Sequence, residues 1–478
     1  MLAPCTLLIA AILAQDGSAS PDTPTVGIGA DDMVSPERVP LHDDGARGKG
    51  LRPEDELFST RVQRQNGSKR LAGNLLRSLV QDAGSPNKVL PSPYDFITPN
   101  PNAILSMPFL TAPLDGAVKA IRALSDDLGV TFEPGAAMTW QHATKVVDGA
   151  PHGKGLVWYG AAGRLRLWHD TDGIGEVVYN LQGNAGVGSP FKPIMGQAVG
   201  NPLANNNIII SANFGLYMLY WQQAMLDGRL RMRVGKMEFQ AFFDRNAIAY
   251  DPIGGFLAQN FNQSSAIPFP DYGFGGVAGW DFTKDLTLRG GVQNSSSIGI
   301  TPGFDGMSSS NLFALAELDY RVWIPIGTEY QREGHRRFIV WHSGIDDWRI
   351  GSGHIDGWGM EFNMDQAITD QIVVFCRVGW GQDDVSPMSV SISAGFAVED
   401  VLPFTDMGFA VEWGKVTSFG RTISDVNAAR GEQLLLEWYA NIHVSPSLHM
   451  GPVIQAVRDR AAGIDTSLIY GFRSSWAF

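Results

Sequence analysis

Asp465–Phe478 reads DTSLIYGFRSSWAF. Leu468, Tyr470, Phe472, Trp476 and Phe478 fall on one parity, with Ser474 its single polar member, and Arg473 and Ser475 fall on the other. Successive side chains of a strand point to opposite faces, so this alternation predicts a β-strand with one aromatic face. A terminal strand that shows Trp, Phe and Tyr to water invites edge-to-edge aggregation. In a closed barrel within a bilayer the same face meets lipid, and closure satisfies every backbone group. The stretch therefore predicts the closing strand of a transmembrane barrel, with Trp476 and Phe478 toward lipid and Arg473 toward the lumen.

Composition narrows the alternatives. The 478 residues carry 36 Lys+Arg against 49 Asp+Glu, a net charge of −13, which argues against nucleic acid as a partner. No apolar run reaches the roughly 18 residues of a membrane helix. Glycine, at 55, and 25 phenylalanines with 13 tryptophans suit tight turns and aromatic girdles. Of the two cysteines, Cys5 lies in the leader described next, so Cys376 is left without a disulfide partner. The spacing of a zinc site is absent.

Residues 1–19 begin MLAPCTLLIAAILA, whose short apolar core from Leu7 to Ala14 reads as a secretory signal with cleavage after Ala14 or Ala19. Residues 20–128 read as an N-terminal periplasmic segment. Its first part is polar, rich in Gly, Pro and Asp, and reads as disordered; two short helices follow, over Arg70–Gln81 and Leu114–Leu128. Residues 129–478 read as about sixteen antiparallel strands, near 130–141, 155–169, 173–184, 207–222, 229–240, 272–284, 286–297, 310–324, 335–345, 355–368, 371–382, 388–399, 406–418, 432–444, 447–458 and 465–478. The fold class is all-β, a transmembrane antiparallel barrel of porin size. The closing strand should pair with the one near Val130–Gln141. Short and long connections alternate. The longest, Ala241–Asp271, is too rich in Phe, Ile and Leu for a solvated loop and should fold into the lumen.

Parity nominates the lumen face. Arg164, Arg166 and Trp168 oppose Leu165 and Leu167; Arg231 and Arg233 oppose Met232 and Val234; Glu176 and Asn180 oppose Val177 and Tyr179. Glu361 and Asp365 oppose Met360 and Phe362, Arg377 opposes Cys376 and Val378, and Glu437 opposes Leu436 and Trp438. With Gln455, these twelve are the candidate pore-lining residues. Arginine forks donate, carboxylates accept, and a sugar hydroxyl does both. A passive channel for a neutral polar solute follows, with an anion-preferring or general diffusion pore as the competing reading. A soluble β-sheet sugar-binding protein or glycosidase gives the same alternation with its apolar face buried as a core.

Enzyme chemistry has no support in the motifs. H-E-x-x-H, G-x-S-x-G and P-loop patterns are absent, and His169, His335, His342, His354, His443 and His449 are scattered. Asp170–Gly173 and Asp383–Asp384 read as turns rather than metal sites. Neither a catalytic residue, a cofactor nor a metal is expected.

DQAITDQIVVFCRVGWGQDDVSP (Asp365–Pro387) followed by SVSISAGF, MLYWQQ (Met218–Gln223), RMRVGKMEFQAFFD (Arg231–Asp244) and QNFNQSSAIPFP (Gln259–Pro270) resemble the carbohydrate-selective porin (OprB) family, in its order and spacing. The similarity runs over most of Gly129–Phe478. It departs at Leu402–Gly408, where the family's arginine before the aspartate is missing. The resemblance implies a sixteen-stranded barrel in the bacterial outer membrane that admits monosaccharides through an arginine- and carboxylate-bearing eyelet. The implied partners are small sugars, outer-membrane lipid and the barrel-assembly machinery, the last through the Phe478 strand. The oligomeric state is open.

Overall fold

The computed structural model describes residues 130–169, 173–188, 194–208, 214–297, 299–326, 330–346, 353–402, 404–445 and 448–477. The expected leader, both expected N-terminal helices and Phe478 lie outside them.

The first eight strands are β1 (Val130–Ala143), β2 (Gly153–His169), β3 (Ile174–Val187), β4 (Gly215–Met225), β5 (Leu230–Met237), β6 (Gly273–Asp281), β7 (Leu286–Asn294) and β8 (Leu312–Ile326). The second eight are β9 (Tyr330–Asp346), β10 (His354–Ala367), β11 (Ile372–Gly381), β12 (Met388–Leu402), β13 (Thr405–Val416), β14 (Gly431–Ser445), β15 (Leu448–Asp459) and β16 (Ile464–Ala477). Each pairs with its neighbours in sequence, and β1 pairs antiparallel with β16 to close the barrel. Closure leaves no open edge, which removes the hazard posed by the aromatic terminal strand. Among the described residues, no helix is long and apolar enough to cross a membrane.

The alternation read in β16 sorts its faces as expected. Leu468, Tyr470 and Phe472 are 44%, 43% and 45% exposed, whereas Arg473 is 1% exposed. The aromatic face continues on the neighbouring strand, where Trp140 lies opposite Phe472 and its ring sits 6.1 Å from that of Tyr470. Across the barrel Trp358 and Trp380 meet edge to face at 5.0 Å. Such rings, amphipathic and near strand ends, are what a lipid–water boundary selects.

The connections differ between the two rims. At the rim where β1 starts and β16 ends they run over 170–173, 226–229, 282–285, 327–329, 368–371, 403–404 and 446–447. At the other rim they include 188–214, 238–272, 295–311 and 417–430. Short turns on one side and long loops on the other are the habit of outer-membrane barrels. The shortest at the long-loop rim, 460–463, turns on Gly463 at φ 76°, a left-handed conformation open to glycine without steric cost.

Two expectations shift. The fourth strand begins at Gly215 rather than near 207, because residues 194–208 turn inward and pack in the lumen instead of extending the sheet. The alternation of β2 breaks at Leu167, where a bulge pairs Arg166 with Glu176 but Trp168 with Gly175. The extra residue reverses parity, so Trp168 lies on the outer face, where its ring and that of Trp221 cover Gly175.

Candidate constriction of the barrel

The loop between β5 and β6, residues 238–272, folds against the inner wall, as its apolar composition predicts. Phe239, Phe243, Phe256 and Phe261 are fully buried. Phe256 packs on Phe261, on Phe375 of β11 and edge to face on Tyr439 of β14. At the other end Phe239 meets Phe243 and Phe313 of β8. The loop thus has a core of its own, shared with the wall from β8 to β14.

Its backbone polar groups cannot reach a sheet ladder and are satisfied by wall side chains. Glu317 of β8 accepts from the Asp244 amide at 2.8 Å, and Asp365 of β10 from the Ala247 amide at 3.3 Å. Glu437 of β14 accepts from the Leu257 and Ala258 amides, the latter at 2.8 Å. Glu412 of β13 accepts from Asn260 and Ser265, each at 2.5 Å. Arg377 of β11 donates to the carbonyls of Phe261 and Ala249 at 2.6 and 2.7 Å. Arg473 of β16 donates to those of Pro252 and Gly255 at 2.9 and 2.6 Å. A second inner segment, 194–208, docks on the same structure: Asn201 donates to Asn260 at 2.8 Å and Asn205 to Gln455 of β15 at 3.1 Å.

The candidate residues therefore divide into two groups. Glu361, Asp365, Arg377, Glu437 and Gln455 lie on the inner face but beneath the two inward-folded segments, all at 1% exposure or less. Parity alone placed them along the solute's path. Instead, Asp365, Arg377 and Glu437 bond to the loop, Gln455 bonds to the segment 194–208, and Glu361 lies 3.6 Å from Arg377, because alternation reports which face a residue occupies and not what later covers that face. The second group lies on β2, β3 and β5. Arg166 reaches Glu176 at 3.2 Å, and Gln222 of β4 donates to the other oxygen of Glu176 at 2.8 Å. Arg231 pairs with Asp281 of β6 at 2.5 Å, and the Arg233 guanidinium lies 4.7 Å over the Phe242 ring. Arg164 and Asn180 are buried on the same wall.

Sequence reasoning passed over a charged strip on β7–β9. Arg289 pairs with Glu317 and, at 3.2 Å, with Asp319. Asp319 also meets His335 at 2.7 Å, Arg337 reaches Asp365 at 2.6 Å, and Arg321 pairs with Glu333 at 2.9 Å. The signal was present: Glu317, Asp319 and Arg321 alternate with Leu318 and Tyr320, and Glu333, His335 and Arg337 share one parity. The pairing of cations with carboxylates keeps this wall near neutral despite its density of charge.

On the loop itself, Arg245 and Tyr250 are half-buried, unlike most of their neighbours, and the guanidinium sits 4.6 Å over the phenol ring. Three loop carboxyls titrate above their ordinary range, Asp271 among them through burial. Burial, with Asp271 nearby, pushes Glu238 up to about 7. Burial pushes Asp251 up to about 6, against the pull of the Ile253 and Gly254 amides and of Arg473. Among the described residues, no cluster of His, Cys, Asp and Glu is arranged to hold a metal ion.

A family model described as carbohydrate-selective porin, OprB family, matches residues 170–478. Among solved structures, the high-pH form of Pseudomonas putida OprB superposes with a TM-score of 0.60 at 15% identity, over 76% of this chain and 97% of that one. Its low-pH form gives 0.45 at 11% identity, over 80% of this chain and all of that one. A mutant of the Rh. blastica porin gives 0.47 at 10% identity, over 73% of this chain and all of that one. No curated protein sequence matches the chain. The high-pH form supports the sixteen-stranded barrel as a fold. The match of the family model over most of the barrel goes further: this chain belongs to the carbohydrate-selective porin family, as a channel-forming barrel of the bacterial outer membrane.

Proposed function

We propose that the barrel passes small sugars of glucose-like size by passive diffusion, through a constriction framed by the inner loop and by arginine–carboxylate pairs on the facing wall. The observation that carries this reading is the loop 238–272, laid along the inner wall with Arg245 and Tyr250 on its accessible side. A sugar ring has apolar faces that stack on an aromatic or a guanidinium plane, and hydroxyls that donate and accept. Arg164, Arg166, Glu176, Asn180, Arg231 and Arg233 supply both kinds of partner. Each contact is replaceable by water, so the solute is held weakly enough to leave, which conduction requires. Because Arg166 and Arg231 each sit beside a carboxylate, the path favours a neutral polar solute over an anion.

Residues 1–19 serve as the export leader in this reading, residues 20–128 as a periplasmic segment, and the β16 strand as the signal read by the assembly machinery. Liposome swelling tests the proposal. Vesicles carrying the protein should swell faster in glucose than in gluconate, a solute of similar size and negative charge. Equal rates would make the channel a general pore, and faster gluconate entry an anion pore.

A further inference from the structure

We infer that Asp244 and Arg377 are positioning residues: a buried ion pair that pins the inner loop at three points and thereby fixes Arg245 and Tyr250 at the constriction. The inference rests on the reading of the loop as the constriction, but its central test needs no sugar.

The pair is sealed from water, each member 1% exposed. Arg377 Nε donates to Asp244 Oδ1 at 2.9 Å. Its Nη2 donates to the carbonyls of Asp244 at 2.9 Å and Ala249 at 2.7 Å, and its Nη1 to that of Phe261 at 2.6 Å. One planar fork thus ties residues 244, 249 and 261 of the loop to the middle of β11. Arg245 and Tyr250 each follow directly on a pinned residue, and the Arg245 guanidinium lies over the Tyr250 ring. Holding 244 and 249 to one guanidinium sets the spacing of the side chains that come next.

Asp244 is built for this place. Its φ of 55° is left-handed, a conformation that aspartate tolerates better than most residues. Asn363 of β10 donates to Oδ1 at 2.6 Å, the Ser264 amide donates to Oδ2 at 2.6 Å, and its own amide donates to Glu317 of β8. Four partners, from β8, β10, β11 and the returning limb of the loop, hold the strained backbone. Glu361 stands 3.6 Å from Arg377 as a second buried carboxylate. Removing the guanidinium leaves both carboxylates facing each other without a cation. Lysine cannot replace it, since a single ammonium has no fork to span three carbonyls and a carboxylate.

The test is single-channel recording in KCl of the full chain bearing Asp244→Asn, Arg377→Lys, Arg377→Met or Asn363→Ala. Folding is checked by heat-modifiable migration. The first three variants should raise conductance by about a factor of two or more and add flicker from a loosened loop, while glucose block weakens. Asn363→Ala leaves the ion pair in place but removes the amide's bonds to Asp244, to the Arg245 carbonyl and to Asn246, and should show a smaller change of the same sign. It also decides the matter if Arg377→Met does not fold. Folded variants with wild-type conductance and noise would overturn the inference, as would full rescue by Arg377→Lys. Wild-type channels that glucose does not block would refute the sugar reading alone, because the KCl arm still reports on the pin.

Discussion

The most direct perturbation of the barrel's surroundings is an arginine placed at two depths on one face of β10. Phe362 lies near the middle of the strand, opposite Phe338 of β9 and Val378 of β11, and all three are exposed on the outer face. Asp356 shares its parity but sits close to the long-loop rim, with His342 at 3.7 Å. Six residues at a rise of about 3.4 Å, on a strand tilted by about 40°, separate the two by about 15 Å in depth. Phe362→Arg forfeits a phenyl group's transfer to lipid, ~2 kcal/mol, and adds the cost of an arginine at the bilayer centre, ~2–4 kcal/mol. The sum is about 4–6 kcal/mol, whereas Asp356→Arg should cost at most about 1 kcal/mol. Urea titration of protein folded into phospholipid vesicles, followed by tryptophan fluorescence, measures both. A surface facing water would tolerate either change within about 0.5 kcal/mol. Equal and small costs at the two positions would therefore remove the barrel from the bilayer.

Three further outcomes follow from the inner wall. Trp168→Ala should leave conductance and ion preference unchanged, because the bulge at Leu167 turns that ring outward; a shift in either would restore it to the lumen. Arg231→Glu should move ion preference toward cations, measured as a reversal potential in a KCl gradient, and no shift would place Arg231 away from the path. The loop carboxyls set a pH dependence. Asp251 and Glu238 are raised above their ordinary values, so the docked loop is favoured most where both are protonated, below about pH 4. That contribution is lost as pH rises through about 6 for Asp251 and about 7 for Glu238, so current noise should be greater at pH 8 than at pH 5. Noise that is unchanged, or greater on the acid side, contradicts the assignment.

The barrel was legible in the sequence because lipid and lumen impose opposite demands on alternate residues. In β16 this parity separates Tyr470 and Phe472 from Arg473 without any knowledge of partners. The inward loop was legible for a related reason, since Phe239, Phe243, Phe256 and Phe261 have no place in water. Parity failed where the local backbone broke it. One bulged residue was enough to move Trp168 from one face to the other, and a bulge leaves no mark in the run RLRLWH. What covers a face was equally hidden. Glu437 and Arg377 look like channel groups on their strands, and only the chain folded back from 238–272 turns them into its anchors. The ion pairs of Arg289, Glu317, Asp319 and Arg337 depend on the register of β7 to β10, which alternation leaves undetermined.

The measurement that bears most directly on the central claim is the current through single channels in a planar lipid bilayer as glucose is added. The account predicts discrete ionic conductance steps that glucose reduces reversibly and in a dose-dependent manner, as the sugar occupies the path beside Arg245 and Tyr250. Conductance steps that glucose leaves untouched, beyond the change in solution viscosity, would contradict it.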